Sequence, residues 1–299
     1  MSPRRLSRSA LGLAAGLTTA ALLTTAQPAA AAPASAITAG STYVALGSSF
    51  ASGPGLPTVY DAACGRSTGN YAHRVAGALG LDLTDASCAG ATSANVVSTA
   101  QATLQGPRPP QISALTAETD LVTVTVGGND VNYSSDLLRN ACVPPNDATV
   151  PDVVKPIVCV PVDQAATQAA LESVTGKLVA MVEAIRQQAP HARIVLVDYL
   201  TILPQNGKPC AGLPLTEDGI RFSLDVARQL QLATKHAAQQ AGAELVELSK
   251  ASRSHDVCSA DPWVSGLVWS DFFTKGILPF HPNAAGMQAA ADLLVDHLR

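Results

Sequence analysis

The stretch Thr42-Tyr-Val-Ala-Leu-Gly-Ser-Ser-Phe-Ala-Ser-Gly53 places a short apolar segment directly before a Gly-Ser-Ser corner. The apolar residues predict a buried β-strand, and the corner predicts the turn at its carboxyl end. Open α/β sheets bind their ligands at the carboxyl ends of their strands. A serine at this corner is therefore either the N-cap of a following helix or a nucleophile.

Strands and helices alternate along the rest of the chain. Short, mostly apolar segments followed by turn residues predict strands at 43–46, 82–86, 121–126, 194–198 and 243–247. Segments with helical spacing of apolar residues predict helices at 71–79, 162–188, 219–240 and 283–298. This alternation predicts one doubly wound α/β/α domain with a parallel sheet. Residues 133–161 and 250–279 break it, and we expect them to form long loops beside the ligand site.

The first 36 residues predict a secretory signal peptide. Three arginines precede an apolar stretch at 10–25, and Ala-x-Ala sites follow at 29–31 and 34–36. We therefore expect cleavage near residue 36, a single domain over residues 37–299, and an extracellular location.

Charge and hydropathy restrict the classes of partner. The formal net charge of the chain is −4, and its Lys and Arg residues do not form the basic stripe that a nucleic-acid-binding surface needs. No segment after the leader is apolar for long enough to span a bilayer. We expect no nucleic-acid partner and no transmembrane segment.

The chain contains six cysteines, and an even number in an exported protein predicts three disulfides. Sequential pairing is favoured over the other pairings because it closes local loops. The favoured pairs are Cys64–Cys88, Cys142–Cys159 and Cys210–Cys258. No Cys-x-x-Cys or His-x-x-x-His spacing supports metal binding, so we expect no metal site.

Four residues have the chemistry that acyl transfer needs. Ser49, Gly90 and Asn129 follow the first three predicted strands, and His281 precedes the last helix. A serine needs a base to accept its proton, and histidine is neutral near physiological pH. A closely approachable glycine N–H and an Asn amide can donate to a developing oxyanion. Taken singly, each of the four is also explained by an ordinary turn or cap.

Their order, Ser, Gly, Asn and His, resembles the four motifs of the SGNH (GDSL-type) hydrolases, from about residue 42 to residue 299. The Tyr-Val-Ala-Leu-Gly opening, the three-disulfide framework and the Phe-His-Pro-Asn ending are similar to secreted actinobacterial esterases and lipases. The resemblance implies a flavodoxin-like, five-stranded parallel sheet of order 2-1-3-4-5. It implies that Ser49 is the nucleophile and His281 the base, and that the Ser49 N–H, the Gly90 N–H and the Asn129 side chain form the oxyanion hole. It implies no cofactor.

Two positions depart from the family pattern. Ser48 stands where the first motif usually has Asp, which leaves Ser48 and Ser49 as rival nucleophiles; the register to Phe50 and beyond favours Ser49. Leu278 stands where the last motif usually has the Asp that orients the histidine. The backbone carbonyl of Leu278 is our preferred acceptor for His281. The alternative is a carboxylate from the preceding loop, either Asp261 or Asp271.

Apolar and aromatic residues are concentrated between positions 263 and 280, just before His281. This concentration favours a hydrophobic acyl site and hence a lipase or esterase that cleaves fatty-acyl esters. We expect the secreted protein to be a monomer that makes transient contact with lipid interfaces. Two alternatives remain. One alternative is a carbohydrate esterase that removes acetyl or acyl groups from polysaccharide. The other is a secreted binding protein without activity, and the missing Asp at position 278 favours this second alternative.

Overall fold

The computed structural model describes residues 36–142 and 149–299, so the predicted signal peptide lies outside the described residues except for its last position. The strands are β1 Thr42–Gly47, β2 Val59–Asp61, β3 Arg66–Ser67, β4 Asp82–Asp85, β5 Leu121–Thr125, β6 Arg193–Val197 and β7 Glu244–Val246. Five of them form a parallel sheet of order β4-β1-β5-β6-β7, and β2 pairs with β3 in a separate antiparallel hairpin. Counted within the sheet alone, this order is 2-1-3-4-5, and the flavodoxin-like α/β class is confirmed.

The three central strands carry the core of the sheet. In β1, β5 and β6 nearly every residue is buried, as expected for parallel strands covered on both faces. The register aligns Leu46 of β1 with Val124 of β5, and Val124 with Leu196 of β6. Strand β4 lies at one edge and leaves alternate residues exposed. The buried centre of the sheet therefore ends where β1 and β5 end.

Helices cover both faces of the sheet. They are α1 Ser49–Ser52, α2 Tyr71–Leu79, α3 Ser93–Val97, α4 Tyr133–Asn140, α5 Lys155–Val158, α6 Gln164–Gln188, α7 Glu217–Ala241, α8 Leu248–Ala251, α9 Trp269–Lys275 and α10 Ala284–Leu298, with a 3₁₀ turn at Gln111–Ala114. The long helices α6 and α7 pack against each other, and α2 packs against α10. The four predicted helices correspond to α2, α6, α7 and α10, with ends shifted by two residues or fewer.

The expectation of long loops was wrong in two segments, and a third segment contains an element that was not predicted. The segments 133–161 and 250–279 are not simple loops. The first contains α4 and α5, and the second contains the end of α8 and all of α9. The hairpin of β2 and β3 was not predicted either. These elements have two to eight residues, which is too short for a hydrophobic period to show in the sequence.

Three disulfides join loops and irregular segments of the fold. The bonded pairs are Cys64–Cys88, Cys142–Cys159 and Cys210–Cys258, the pairs that the local-loop argument favours. The first connects the β2–β3 hairpin to the loop that follows β4. Across the described ranges, the structure contains no helix of the length and apolar character needed to cross a membrane.

Candidate active site

Ser49 and His281 meet at the carboxyl edge of the sheet. Ser49 is the first residue of α1, directly after the β1 corner, and His281 lies just before α10. The Ser49 Oγ is 2.9 Å from the His281 Nε2, and both side chains are buried. A hydroxyl at this distance from a neutral imidazole nitrogen can donate its proton to that nitrogen.

The other ring nitrogen of His281 fixes the tautomer. Its Nδ1 lies 2.8 Å from the carbonyl oxygen of Pro279, so Nδ1–H donates to the main chain and Nε2 is free to accept from Ser49. The predicted kind of acceptor, a backbone carbonyl, is present, but Leu278 was the wrong residue. The correct carbonyl lies one residue closer to the histidine in the sequence.

A turn at Phe280 explains this shift. Phe280 has a φ of 60°, in the left-handed region that a bulky residue rarely adopts, and its side chain is fully buried. Its N–H donates to the Ser265 carbonyl at 2.8 Å, and the Ser265 N–H donates to the His281 carbonyl at 2.9 Å. These two bonds hold the turn, which points the Pro279 carbonyl at the imidazole.

The two alternative carboxylates serve other partners. Asp261 lies 3.4 Å from the His255 Nδ1 through its carboxylate, which is 76% exposed. Asp271 pairs with Lys275 at 2.9 Å within α9. Among the hydrogen bonds and ion pairs of the described residues, neither carboxylate contacts His281.

Ser48 and Ser49 point to different neighbours. The Ser48 Oγ is 3.4 Å from the hydroxyl of Tyr199, whereas the Ser49 Oγ contacts the histidine. The Ser48 N–H donates to the Thr125 carbonyl at 2.8 Å, which continues the β1–β5 ladder past the end of the strand. Of the two hydroxyls, only that of Ser49 is hydrogen-bonded to a base.

The three predicted oxyanion donors lie on adjoining segments. The Ser49 N–H is at the first position of α1, where a helix has no internal acceptor for it. Gly90 lies in the loop after β4 and has a φ of +84°, a conformation that favours glycine. Its N–H is the one predicted to approach a ligand closely. Asn129 donates one amide hydrogen to the Ala91 carbonyl at 2.9 Å. Because the amide carries two hydrogens, the second can still donate to a ligand.

Asp130, the neighbour of Asn129, has a structural contact. Its carboxylate accepts from the Ser93 N–H at 2.8 Å and from the Ser93 hydroxyl at 2.6 Å. It therefore fixes the start of α3 against the Asn129 loop. These two hydrogen bonds connect the segment that carries Gly90 to the segment that carries Asn129.

Gln111 holds the corner and was not predicted from the sequence. Its side-chain oxygen accepts from the Gly47 N–H at 2.7 Å, and its side-chain nitrogen donates to the Gly47 carbonyl at 2.9 Å. The amide thus replaces a strand partner at the residue where β1 ends, two positions before Ser49. No local pattern marks Gln111, because the contact joins residues 64 positions apart.

Burial sets the electrostatics of His281. Removal of the imidazole from water lowers the pKa of His281 below its ordinary value of 6.5, and the hydrogen bond to the Pro279 carbonyl opposes this effect in part. A lowered pKa keeps the imidazole neutral at neutral pH. A neutral imidazole is the form that can accept the proton of Ser49.

The apolar segment before His281 divides between core, cavity and surface, and Val268 and Phe273 are among its exposed residues. Leu267 and Phe280 are buried in the core, whereas Ile277 and Leu278 line a cavity of about 350 Å³. Pro54, Leu56, Pro57 and Pro282 complete its apolar wall. The cavity is thus bounded by the segment that follows Ser49 and by the segments on either side of His281. A second groove of about 440 Å³ lies between α3 and α6 and includes Asn129.

Residues 45–289 match the model of the GDSL-like lipase/acylhydrolase family. The chain belongs to this family. Lipase 2 of Streptomyces coelicolor is 35% identical over 265 residues, which is 86% of this chain and 85% of that protein. The extracellular lipase of Streptomyces rimosus has a similar structure, with a TM-score of 0.65 at 25% identity over 86% of this chain and 98% of the other.

Phospholipase A1 from Streptomyces albidoflavus NA297 gives a TM-score of 0.64 at 25% identity, over 87% of this chain and 99% of the other. Family membership and these relatives make the protein a carboxylic ester hydrolase of the lipase and esterase type. The alternative of a binding protein that only keeps the fold is therefore set aside. Its main support, the missing Asp at position 278, also weakens because the histidine has a main-chain acceptor.

Proposed function

We propose that the protein is a secreted lipase or esterase that hydrolyses fatty-acyl esters through an acyl-enzyme on Ser49. The observation that carries the proposal is the 2.9 Å contact between the Ser49 Oγ and the His281 Nε2, with the opposite ring nitrogen held by a carbonyl. Nucleophile, base and orienting group are the three parts that an activated serine requires.

In the first half of the reaction, the Ser49 Oγ forms a bond to the ester carbonyl carbon while its proton passes to the His281 Nε2. The carbonyl oxygen becomes an oxyanion, which accepts from the Ser49 N–H, the Gly90 N–H and the Asn129 amide. The intermediate collapses, the bond to the alcohol oxygen breaks, and His281 donates the proton to that alcohol. Water then attacks the acyl-enzyme by the same steps and releases the acid and free Ser49.

We place the acyl chain in the apolar cavity of about 350 Å³ that flanks His281. Proline and aliphatic side chains form most of its wall, beside the polar Ser265, Lys275 and Asn283, and this apolar majority favours a hydrocarbon chain over a sugar. Burial of each methylene contributes about 0.8 kcal/mol, so a cavity of this kind should favour medium or long chains over acetyl. The apolar lining therefore supports the lipase over the carbohydrate esterase.

The chemical proposal is tested by covalent labelling. A fluorophosphonate should modify Ser49 in the folded wild-type protein, and Ser49→Ala should lose both labelling and esterase activity. Ser48→Ala is the matched control and should still be labelled. Esterase activity that persists in Ser49→Ala would contradict the proposed nucleophile.

The substrate proposal is tested by rates on acetyl, octanoyl and palmitoyl esters. We expect a higher kcat/KM for the longer chains, and Ile277→Trp, which fills part of the cavity beside His281, should reduce that preference. Val97→Trp is the control, because Val97 lines the groove between α3 and α6 that includes Asn129. This variant should keep the chain-length preference of the wild type. A clear preference of the wild type for acetyl would refute the fatty-acyl assignment and favour the carbohydrate esterase.

Export, processing and assembly are part of the same proposal. Secretion with cleavage near residue 36 is supported by the basic and apolar leader, the three disulfides and the similarity to an extracellular lipase. Cleavage there leaves residues 37–299 as a single domain. We propose that this domain is a monomer that contacts lipid interfaces transiently. N-terminal sequencing of protein from the culture medium tests the cleavage. Protein that stays inside the cell with residue 1 intact would contradict it.

A further inference from the structure

Tyr199 is a buried side chain that touches both segments carrying the reacting groups. It follows the end of β6 at the carboxyl edge of the sheet and is 4% exposed. Its hydroxyl oxygen accepts from the Gly128 N–H at 2.8 Å and lies 3.4 Å from the Ser48 Oγ. Gly128 directly precedes Asn129, and Ser48 directly precedes Ser49. One hydroxyl group therefore joins the oxyanion loop to the nucleophile corner.

The ring of Tyr199 is also linked, through Phe50, to His281. Its centroid is 4.6 Å from that of Phe50, and the Phe50 centroid is 5.0 Å from that of His281. Phe50 is the residue after Ser49, so Tyr199 contacts the residues on both sides of the nucleophile, Ser48 and Phe50. The contacts of Tyr199 thus run to the Asn129 loop, to the serine corner and, through Phe50, to the base.

The sequence of the oxyanion loop is fitted to this tyrosine. A Cβ at position 128 would lie 2.7 Å from the Tyr199 hydroxyl oxygen and 2.9 Å from the ring carbon that carries it. Unlike Gly127, Gly128 does not have a left-handed φ. Glycine is therefore needed at position 128 for space, and the space is occupied by Tyr199.

The hydroxyl is suited to both contacts at once. Burial raises the pKa of Tyr199 to about 12, so the group stays protonated at neutral pH. A protonated phenol can accept from the Gly128 N–H and donate to the Ser48 Oγ at the same time. If this acceptor is removed, the Gly128 N–H becomes a buried donor without a partner, and the loop has reason to shift.

We propose that Tyr199 is a positioning residue, which holds the Asn129 loop and the Ser49 corner at the separation that the oxyanion requires. This inference rests on the proposed function, since it assigns Tyr199 a part in the same reaction. Fixed donors lower the barrier because they need no reorganisation when charge develops, and a displacement of about 1 Å can lower the rate by ~10²-fold.

The test is Tyr199→Phe, which keeps the ring and removes only the hydroxyl. We expect kcat to fall about 10- to 100-fold, KM to change by less than about twofold, and the pH midpoint of kcat/KM to stay at its wild-type value because the environment of His281 is unaltered. Tyr43→Phe is the matched control. Tyr43 is equally buried, and its hydroxyl is 2.7 Å from the Thr123 Oγ1 within the sheet, away from the site. It should lose stability without losing kcat.

A double-mutant cycle with Asn129→Ala separates positioning from general stability. If Tyr199 acts through the Asn129 loop, Tyr199→Phe should lower kcat much less in the Asn129→Ala background than in the wild type. Equal losses in both backgrounds, or a wild-type kcat in Tyr199→Phe, would overturn the proposal. If Tyr199→Phe does not fold, Ser48→Ala decides: a fall of about two- to tenfold in kcat at constant KM supports the proposal, and a wild-type kcat overturns it.

The same assays distinguish failure of this inference from failure of the proposed function. An inactive wild type, or an active Ser49→Ala, would refute the function itself. An active wild type with an inactive Ser49→Ala and an unaffected Tyr199→Phe would refute only the positioning role.

Discussion

The segments around the proposed nucleophile, Ser49, form the nucleophile side of the site, and those around the proposed base, His281, form the base side. The two sides are held in different ways. Ser49 follows the buried strand β1, and the Ser48 N–H at its corner donates to the Thr125 carbonyl. Side chains from distant segments also hold this corner, namely the Gln111 amide on Gly47 and the Tyr199 hydroxyl beside Ser48. His281 lies in an irregular segment between α9 and α10. It is fixed by main-chain bonds to Ser265 and by the carbonyl of Pro279.

This difference predicts where the site is sensitive to substitution. On the nucleophile side, single side-chain changes remove contacts that define the corner. On the base side, the acceptor for the imidazole is a main-chain atom, so no substitution deletes it directly. The site therefore tolerates Leu at position 278 as long as the turn at Phe280 keeps its shape.

The largest effect should come from His281→Gln, which removes the base and keeps a polar side chain of similar size. We expect kcat to fall by about 10⁴- to 10⁶-fold, as when a serine hydrolase loses its histidine. His255→Gln is the control, because the His255 Nδ1 is also hydrogen-bonded to a backbone carbonyl, at 2.8 Å from Asp261, and should keep wild-type activity. A His281→Gln enzyme with more than about one hundredth of wild-type kcat would contradict the base assignment.

The next effect is on the nucleophile side of the comparison. Asn129→Ala should lower kcat by about 10²- to 10³-fold with a small change in KM, because the amide stabilises charge that is present only in the transition state. Asn140→Ala removes an amide of the same kind from α4, where it bonds to the Ser223 hydroxyl at 3.3 Å, and should leave kcat unchanged. A loss below about tenfold in Asn129→Ala would remove this residue from the oxyanion hole.

The pH dependence reports on the base side. Burial lowers the pKa of His281 below 6.5, so the neutral, active imidazole persists to lower pH than a solvent-exposed histidine would allow. We expect kcat/KM to rise with pH and to reach half of its plateau below pH 6.5, in assays between pH 4 and 8 on soluble esters. A midpoint above 6.5 would show that the charged form is favoured and that the imidazole has an acidic partner.

Stability must be measured beside the rate, because the same pKa affects folding. The folded protein binds the His281 proton less readily than the unfolded chain, so this residue's contribution to stability is present above pH 6.5 and is lost as the pH falls. Asp198 acts in the opposite direction. Burial raises its pKa to about 6, and its contribution is present below the ordinary value of 3.8 and lost as the pH rises through 6. The difference in unfolding free energy between wild type and His281→Gln isolates the histidine, since both proteins keep Asp198.

The sequence predicted those parts of the site that depend on the ends of strands. Ser49, Gly90 and Asn129 could be placed because the carboxyl ends of parallel strands share one edge. Tyr199 follows β6 at the same edge, so the same rule could have indicated it, but an aromatic residue there carries no catalytic signature. Its partners lie 71 and 151 positions away, and such contacts are set by tertiary packing.

The position of the imidazole acceptor could not be predicted for a related reason. The Pro279 carbonyl belongs to the peptide group that adjoins Phe280, and a phenylalanine gives no indication of the left-handed φ of 60° found there. The turn is imposed by the two hydrogen bonds with Ser265. The sequence could therefore predict the kind of acceptor, a carbonyl, but not the residue that provides it.

The smallest expected effect tests whether the base side lacks anything. Leu278→Asp restores the acid that the family pattern usually has, and Leu278→Asn has nearly the same shape without the charge, so their ratio removes the effect of altering the cavity wall. Because the His281 Nδ1 already donates to Pro279 at 2.8 Å, we expect the two variants to agree in kcat within about threefold. The added charge should act mainly on the protonated imidazole and raise the pH midpoint in the Asp variant alone. If the Asp variant is faster by tenfold or more, the carbonyl limits the wild-type rate, and the base side is then the weaker half of the site.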